Sequence, residues 1–533
     1  MAFQEILESI GGMGRYQVIH VVLLSLPVFM LASHNLMQNF TAAIPRHRCQ
    51  INGSFEETNF TGPWLRALVP MKPTGEFSKC LRYTTPQYHL LMDNFTQNVD
   101  ELETETCVDG WVYDHSEFAS TIITQWDLVC NHRRMRQVAQ SIYMAGVLVG
   151  SVVFGGLSDK FGRRPLNIWS NLQMSVTGIC AAFSPNYIWY CIFRFLTGTA
   201  LSGIVLNSYS LIVEWIPTGN RAFTSTATGY CYTMGQLVLV GLAFMIRDWH
   251  WLQLAASLPF FFYFLYSWWI PESGRWLVLS GKPEVACKAL KKVAKINGKK
   301  EAGEKLTVEV LKSSMQREIS ASKHSTYSVL DLVRTPVVRR ISFCISCTWF
   351  STSFAYYGLA LDLQSFGVSI YIIQIIFGTV DIPAKFFSYF VMTYIGRRVL
   401  QALTLILAGI AILVNICVPQ DYQTVRTSMA VFGKGCLAAS FNCLFLYTGE
   451  LYPTVIRYKS LLFISVRLQV VSECSRPQYY AAQGHGLLCS TRPISQFRFI
   501  SLIRGNEKSI TLQRQTCSPV QAISVRLTNM NQD

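Results

Sequence analysis

Glu214-Trp-Ile-Pro217-Thr218-Gly-Asn-Arg221 returns 236 residues later as Glu450-Leu-Tyr-Pro453-Thr454-Val-Ile-Arg457. A second pair, Gly162-Arg163-Arg164 and Gly396-Arg397-Arg398, is separated by 234. Two unrelated motifs with nearly one offset predict a duplicated half of about 235 residues. Each octet closes a long apolar stretch, so the repeated unit is expected to be a bundle of membrane helices.

Composition agrees. The 533 residues are 50% hydrophobic and only 14% charged, where a soluble domain carries roughly a quarter. Residues 18–32 hold no ionisable side chain except His20, and residues 251–270 hold no charge. About 20 such residues cross a bilayer. The first window lacks a small-residue cleavage site and is read as a retained helix, not a signal peptide. Duplicated helical halves of this kind are the plan of many secondary transporters.

The net charge of +15 does not point to nucleic acid, because of where it lies. Residues 39–132 contain twelve acids and six bases, whereas residues 272–340 contain fifteen Lys/Arg and seven Asp/Glu. This is the positive-inside pattern, and it puts 39–132 on the outer side. That loop carries sequons at Asn39, Asn52, Asn59 and Asn94, expected as glycosylation sites. Its four cysteines, Cys49, Cys80, Cys107 and Cys130, suggest two disulfides in an oxidising compartment, with three pairings open.

Ten spans are predicted, near 16–38, 138–157, 167–186, 188–213, 222–246, 250–271, 340–361, 368–394, 399–419 and 424–452. Residues 1–271 form a six-helix half that includes the outer loop, and 272–339 a basic cytoplasmic linker. Within the linker, 283–298 reads as an amphipathic helix whose Lys288, Lys291, Lys292 and Lys295 make a solvated face near anionic headgroups. Residues 340–457 form a partial second half. From Arg221 to Pro271 only three residues are charged, but the equivalent stretch from Arg457 to Glu507 holds nine, with Pro477, Gly484, Gly486 and Pro493 as breakers. Helices eleven and twelve are therefore expected to be missing or replaced, and 458–533 to be a disordered tail.

Gly155-Gly-Leu157-Ser-Asp159-Lys160-Phe-Gly162-Arg163-Arg164 lies in the turn after the second span. Its glycines permit a tight turn, and Asp159 can pair with an arginine across the bundle, locking one conformation. Glu214 and Arg221, with Glu450 and Arg457, sit at the same membrane edge, where an ion pair can form between halves. These residues are expected to gate rather than to bind substrate. The glycine–aspartate–arginine turn resembles the loop signature of the major facilitator superfamily, which implies an all-α, two-bundle membrane fold.

A narrower resemblance follows from Ser33-His34-Asn35, Asn39-Phe-Thr-Ala-Ala-Ile-Pro45, Asp109-Gly-Trp-Val-Tyr113, Gln125-Trp-Asp-Leu-Val-Cys130, Asp381-Ile-Pro-Ala-Lys385-Phe and Gly433-Lys-Gly-Cys-Leu-Ala-Ala-Ser-Phe441-Asn442. Together these resemble the organic anion transporters of solute carrier family 22, most of all the renal and olfactory exchangers, over residues 1–457. The resemblance implies alternating-access exchange of an amphipathic organic anion for a dicarboxylate such as 2-oxoglutarate, at the plasma membrane. It implies a pocket built from Asn35, Tyr230, Tyr357, Lys385, Phe441 and Phe445. The family's arginine on helix eleven has no recognisable counterpart, since Arg467 stands in an unrelated context.

The residues support that pocket independently. An ionisable side chain inside a membrane helix is costly and usually functional. Asp381 and Lys385 are four apart, on one helix face, where a mutually neutralising pair is expected for Asp381. Lys434 is the weaker ligand candidate and could instead snorkel to the interface. Two other readings stay open: a product lacking two helices that does not transport, and an organic cation carrier. No nucleophile–base set, phosphate loop or metal cluster is recognisable, so neither an enzyme nor a cofactor is expected.

Overall fold

The computed structural model of the chain describes residues 3–50, 63–71, 77–88, 102–316, 319–320, 336–361, 363–419 and 422–451. A short helix α1 (Phe3–Ser9) precedes α2 (Arg15–Leu36), α3 (Arg133–Phe161), α4 (Arg163–Ala182), α5 (Tyr187–Trp215) and α6 (Arg221–Met245). The region expected as a sixth continuous span is two helices, α7 (Trp249–Ser257) and α8 (Pro259–Ser267), because Pro259 starts a new helix after Leu258. Linker helices α9 (Pro283–Ile296) and α10 (Val308–Ser314) lead to α11 (Pro336–Ala360), α12 (Ile370–Tyr394), α13 (Arg397–Cys417) and α14 (Gln423–Leu451). Arg457 and the tail from 458 lie outside the described residues, as do Asn52, Asn59 and Asn94.

Seven described helical stretches are long and apolar enough to cross a membrane: Arg15–Thr41, Cys130–Phe161, Tyr187–Trp215, Thr218–Met245, Ile370–Tyr394, Arg397–Cys417 and Gln423–Thr448. Three of the ten expected spans fall short of that composition. One is the broken pair α7–α8. Another is α4, which buries Asn167, Ser170, Asn171 and Ser175 against its neighbours. The third, α11, carries Arg339 and Arg340 in its first turns.

Both Gly-Arg-Arg copies adopt one geometry. Gly162 (φ +101°) precedes α4 and Gly396 (φ +113°) precedes α13, a backbone region open to glycine but strained for other residues. The duplicated sequence thus makes the same sharp helix entry twice. Within the first half, α5 packs on α3 and α4, and α2 on α6. Small residues permit this closeness. A methyl on Gly146 would strike the Phe195 carbonyl, and one on Gly198 the Tyr143 carbonyl, the close approach that helix pairs in lipid exploit. The seam between halves runs where α6 meets α12 and α14.

The linker is only half solvated. Lys288, Lys291, Lys292 and Lys295 of α9 face outward, as expected. Its other face buries Ala286, Leu290 and Val293 against Phe3, Ile6 and Leu7 of α1 and Leu311 of α10. Asn297 fastens this layer to the first span. Its Oδ1 accepts from Tyr16 N (3.0 Å), while its Nδ2 donates to Ile10 O (3.2 Å) and Gln17 Oε1 (2.9 Å).

The loop after α2 contributes two small antiparallel sheets. β1 (His47–Cys49) pairs with β4 (Trp111–Tyr113), and β2 (Leu81–Tyr83) with β3 (Thr104–Thr106). Disulfides join Cys49 to Cys107 and Cys80 to Cys130. Arg82 ties the sheets together through Glu105 (2.8 Å) and Asp109 (2.6 Å).

Candidate functional site

A cavity of about 260 Å³ opens between the halves, lined from α2, α3, α5, α6, α11, α12 and α14. Its wall is mostly aromatic on the second-half side. Trp349 and Phe445 meet edge to face at 4.8 Å, Tyr356 and Phe441 at 5.0 Å, and Tyr356 and Tyr357 at 5.4 Å. Such a wall suits an apolar ring, with orientation left to a few polar groups.

The decisive polar groups are on α12. Asp381 does not pair with Lys385, as its i,i+4 spacing suggested. It pairs with Lys434 of α14, Oδ1 to Nζ at 2.6 Å, with both side chains 1% exposed. Lys434 therefore does not snorkel; it also donates to Phe377 O (2.9 Å). Lys385 is left with neutral acceptors only, Gly229 O (2.7 Å) and Thr233 Oγ1 (2.6 Å), both on α6. An ammonium has three N–H donors, so one remains for the cavity that Lys385 lines. Two cations and one anion leave this region with a net positive charge.

Asn35 also lines the cavity. Its Oδ1 accepts from the Tyr143 hydroxyl (3.0 Å), and its Nδ2 donates to Tyr232 Oη (3.3 Å). Of the residues expected to form a pocket, Asn35, Tyr357, Lys385, Phe441 and Phe445 come together here. Tyr230 does not. Its hydroxyl donates to Ile382 O across the seam (3.2 Å), and the neighbour two residues on, Tyr232, lines the cavity instead. Two residues of a helix differ by about 200° in direction, so only one of the two tyrosines can face inward. Sequence reasoning also passed over Tyr209, Thr228 and Asn442, which line the wall.

At the ends that carry the disulfide loop, the halves are joined. Asn39 Nδ2 donates to Ala360 O (2.8 Å), and Gln364 exchanges bonds with Ile44 N and O (3.3 and 3.2 Å). Phe40, Phe118 and Phe244 surround the Tyr371 ring. Asn39, expected as a glycan acceptor, is 2% exposed in this conformation, with its amide nitrogen donating to the other half.

At the opposite edge, several of the expected gating charges meet partners within the first half. Arg163 Nη2 lies 3.3 Å from Asp159 and 3.6 Å from Glu214. Arg221 donates to Val213 O (3.4 Å). Arg164 donates to Trp268 O. Glu450 lies near the end of α14, with its side chain outside the described set. Glu272 does what no motif announced. Its carboxylate accepts from Arg163 N (3.1 Å), Arg164 N (3.0 Å) and Ser273 N (2.8 Å), satisfying free amides at the start of α4. Burial pushes this carboxyl above its usual pKa, against the opposing pull of those N–H donors.

Residues 94–473 match the Sugar (and other) transporter family. The chain is 91% identical over 457 residues to solute carrier family 22 member 6-B of Xenopus laevis, which covers 86% of this chain and 83% of that protein. It is 53% identical over 457 residues to organic anion transporter 3 of Pongo abelii, covering 86% of this chain and 82% of that one. Among solved structures, the xylose transporter XylE from E. coli, partially occluded and inward open, has a TM-score of 0.55 at 15% identity, over 87% of this chain and 91% of its own. The same transporter bound to 6-bromo-6-deoxy-D-glucose gives 0.59 at 14%, over 88% and 90%. That likeness fixes the two-bundle major facilitator fold, and the relatives are carriers rather than enzymes. The chain is a multi-pass membrane transporter and belongs to solute carrier family 22.

Proposed function

We propose that this chain moves amphipathic organic anions across the plasma membrane by alternating access, exchanging each for a dicarboxylate. One observation carries the reading: Asp381 is taken by Lys434, which leaves Lys385 as an unneutralised cation in a ring-lined cavity. A cation substrate would meet no free carboxylate among the described lining residues. A relative named organic anion transporter 3 supports the same substrate class.

In this cycle Lys385 meets the substrate carboxylate, while Trp349, Tyr357, Phe441 and Phe445 hold its apolar body. The joined loop ends form the closed outer gate of an inward-facing state. The Asp159–Arg163–Glu214 cluster, together with Arg164, Arg221, Glu450 and Arg457, forms the inner edge against which the second half closes when the cavity turns outward. A dicarboxylate such as 2-oxoglutarate fits exchange because it presents the same head group to Lys385.

The test is counterflow. Cells displaying the chain at their surface are loaded with 2-oxoglutarate, and uptake of 6-carboxyfluorescein is followed. Faster uptake after loading is expected, with no competition by tetraethylammonium. Surface-expressed protein without uptake sinks the anion reading; uptake indifferent to loading sinks the exchange; competition by the quaternary ammonium favours a cation carrier.

A further inference from the structure

Arg194 on α5 is 1% exposed, and none of its three guanidinium nitrogens has a hydrogen-bond acceptor among the described residues. No carboxylate lies within ion-pair distance of it there. A buried cation without a partner destabilises a fold, and removing one is commonly neutral or stabilising. Among the described residues of the first half, no ion pair offsets that cost.

What the guanidinium does touch is the face of Tyr143, with Cζ 4.2 Å from the ring centroid. A cation over the ring is held by its negative face and draws electron density from the phenol, making its O–H a stronger donor. That hydroxyl donates to Asn35 Oδ1 (3.0 Å). With Oδ1 so held, the Asn35 amide must present Nδ2 to Tyr232 (3.3 Å), and both Asn35 and Tyr232 line the cavity.

We propose that Arg194 is a positioning residue for the transport site: through Tyr143 it fixes the amide of Asn35 on the cavity wall. It touches no substrate. The role rests on the anion-site reading above, but the relay has a signature of its own, since a residue kept for packing and one kept for positioning respond oppositely to removal.

Arg194→Met, Tyr143→Phe and their double variant are compared by uptake kinetics of 6-carboxyfluorescein at equal surface amounts, and by melting temperature without ligand. Arg194→Met is expected to melt no lower than the parent while KM rises about tenfold, the effect of one lost hydrogen bond. Tyr143→Phe, which keeps the ring and loses only the hydroxyl, should raise KM equally. The double variant should be no worse than either. Arg194→Lys should recover most of the affinity. A lower melting temperature or no folded protein for Arg194→Met, an unchanged KM for Tyr143→Phe, or multiplied effects in the double variant overturns the proposal. If the parent chain takes up no anion, the site reading falls by itself. The ligand-free melting temperatures still decide the relay, which additive shifts of the two single variants would refute.

Discussion

Lys434→Met should strongly weaken anion recognition without touching Lys385. The substitution leaves Asp381, 1% exposed, as a buried carboxylate with no cation at Oδ1. Breaking such a pair costs about 3–5 kcal/mol if nothing replaces the lost partner. A replacement stands one helical turn away, where Lys385 projects from the same face of α12. Asp381 would recruit it, and the ammonium would leave the cavity for an internal pair. A charge-assisted hydrogen bond to a substrate carboxylate contributes about 1.5–3 kcal/mol, so KM should rise roughly 10- to 150-fold. Lys385→Met should do the same directly. The discriminating variant is Asp381→Asn combined with Lys434→Met, which removes both members of the pair and frees Lys385 again. Its KM should return to within about threefold of the parent, a difference well under the charge-assisted hydrogen bond at stake. Uptake of 6-carboxyfluorescein is measured across a concentration series and normalised to biotin-labelled surface protein. A normal KM for Lys434→Met, or a well-expressed double variant that stays impaired, would refute the assignment of the free charge to Lys385.

Three other outcomes are expected. Cysteines replacing Phe40 and Tyr371, whose rings lie 5.5 Å apart, should be bridged by a short bifunctional methanethiosulfonate reagent and stop uptake until reduced; transport through the crosslinked protein would exclude this contact as the outer gate. Gly162→Ala places a methyl against the Glu272 carboxylate at φ +101°, and should lower stability by about 1–3 kcal/mol, read as an earlier melting transition that a wild-type-like melt would contradict. His47 has its pKa lowered, first by burial, so it folds neutral. Its contribution is therefore present above the unfolded value of about 6.5 and lost as pH falls below it. Trypsin cleavage of the outer loop, divided at each pH by its rate on an unstructured peptide, should be faster at pH 5.5 than at 7.5, and His47→Gln should remove the difference; equal normalised rates in the parent would rule this out.

Seven of the spans were legible because each is a long apolar run, and Gly162 and Gly396 mark equal helix entries in both halves. Legibility ended where the partner was not local. Asp381 and Lys385 advertise a pair through their spacing, while the actual partner, Lys434, lies 53 residues away on a helix whose rotation no periodicity reveals. Tyr230 and Tyr232 could not be told apart, since α6 is apolar around much of its circumference and its inward face depends on α12. Asn39 satisfies a three-residue pattern, but the backbone there is helical and packed on the other half. Glu272 belongs to no motif with Arg163, because an amide cap needs only a carboxylate brought near by the chain's return.

The Asn297 clamp bears on how the two halves could rock. It binds the linker layer to the first span through three hydrogen bonds, while α1 and α9 share one apolar core. Those helices are cargo of the first half, not a spring between the halves. In mechanical terms the first rigid body extends well past the last apolar helix of its bundle, to α10. Lengthening α9 would then enlarge that platform without changing the travel between the halves.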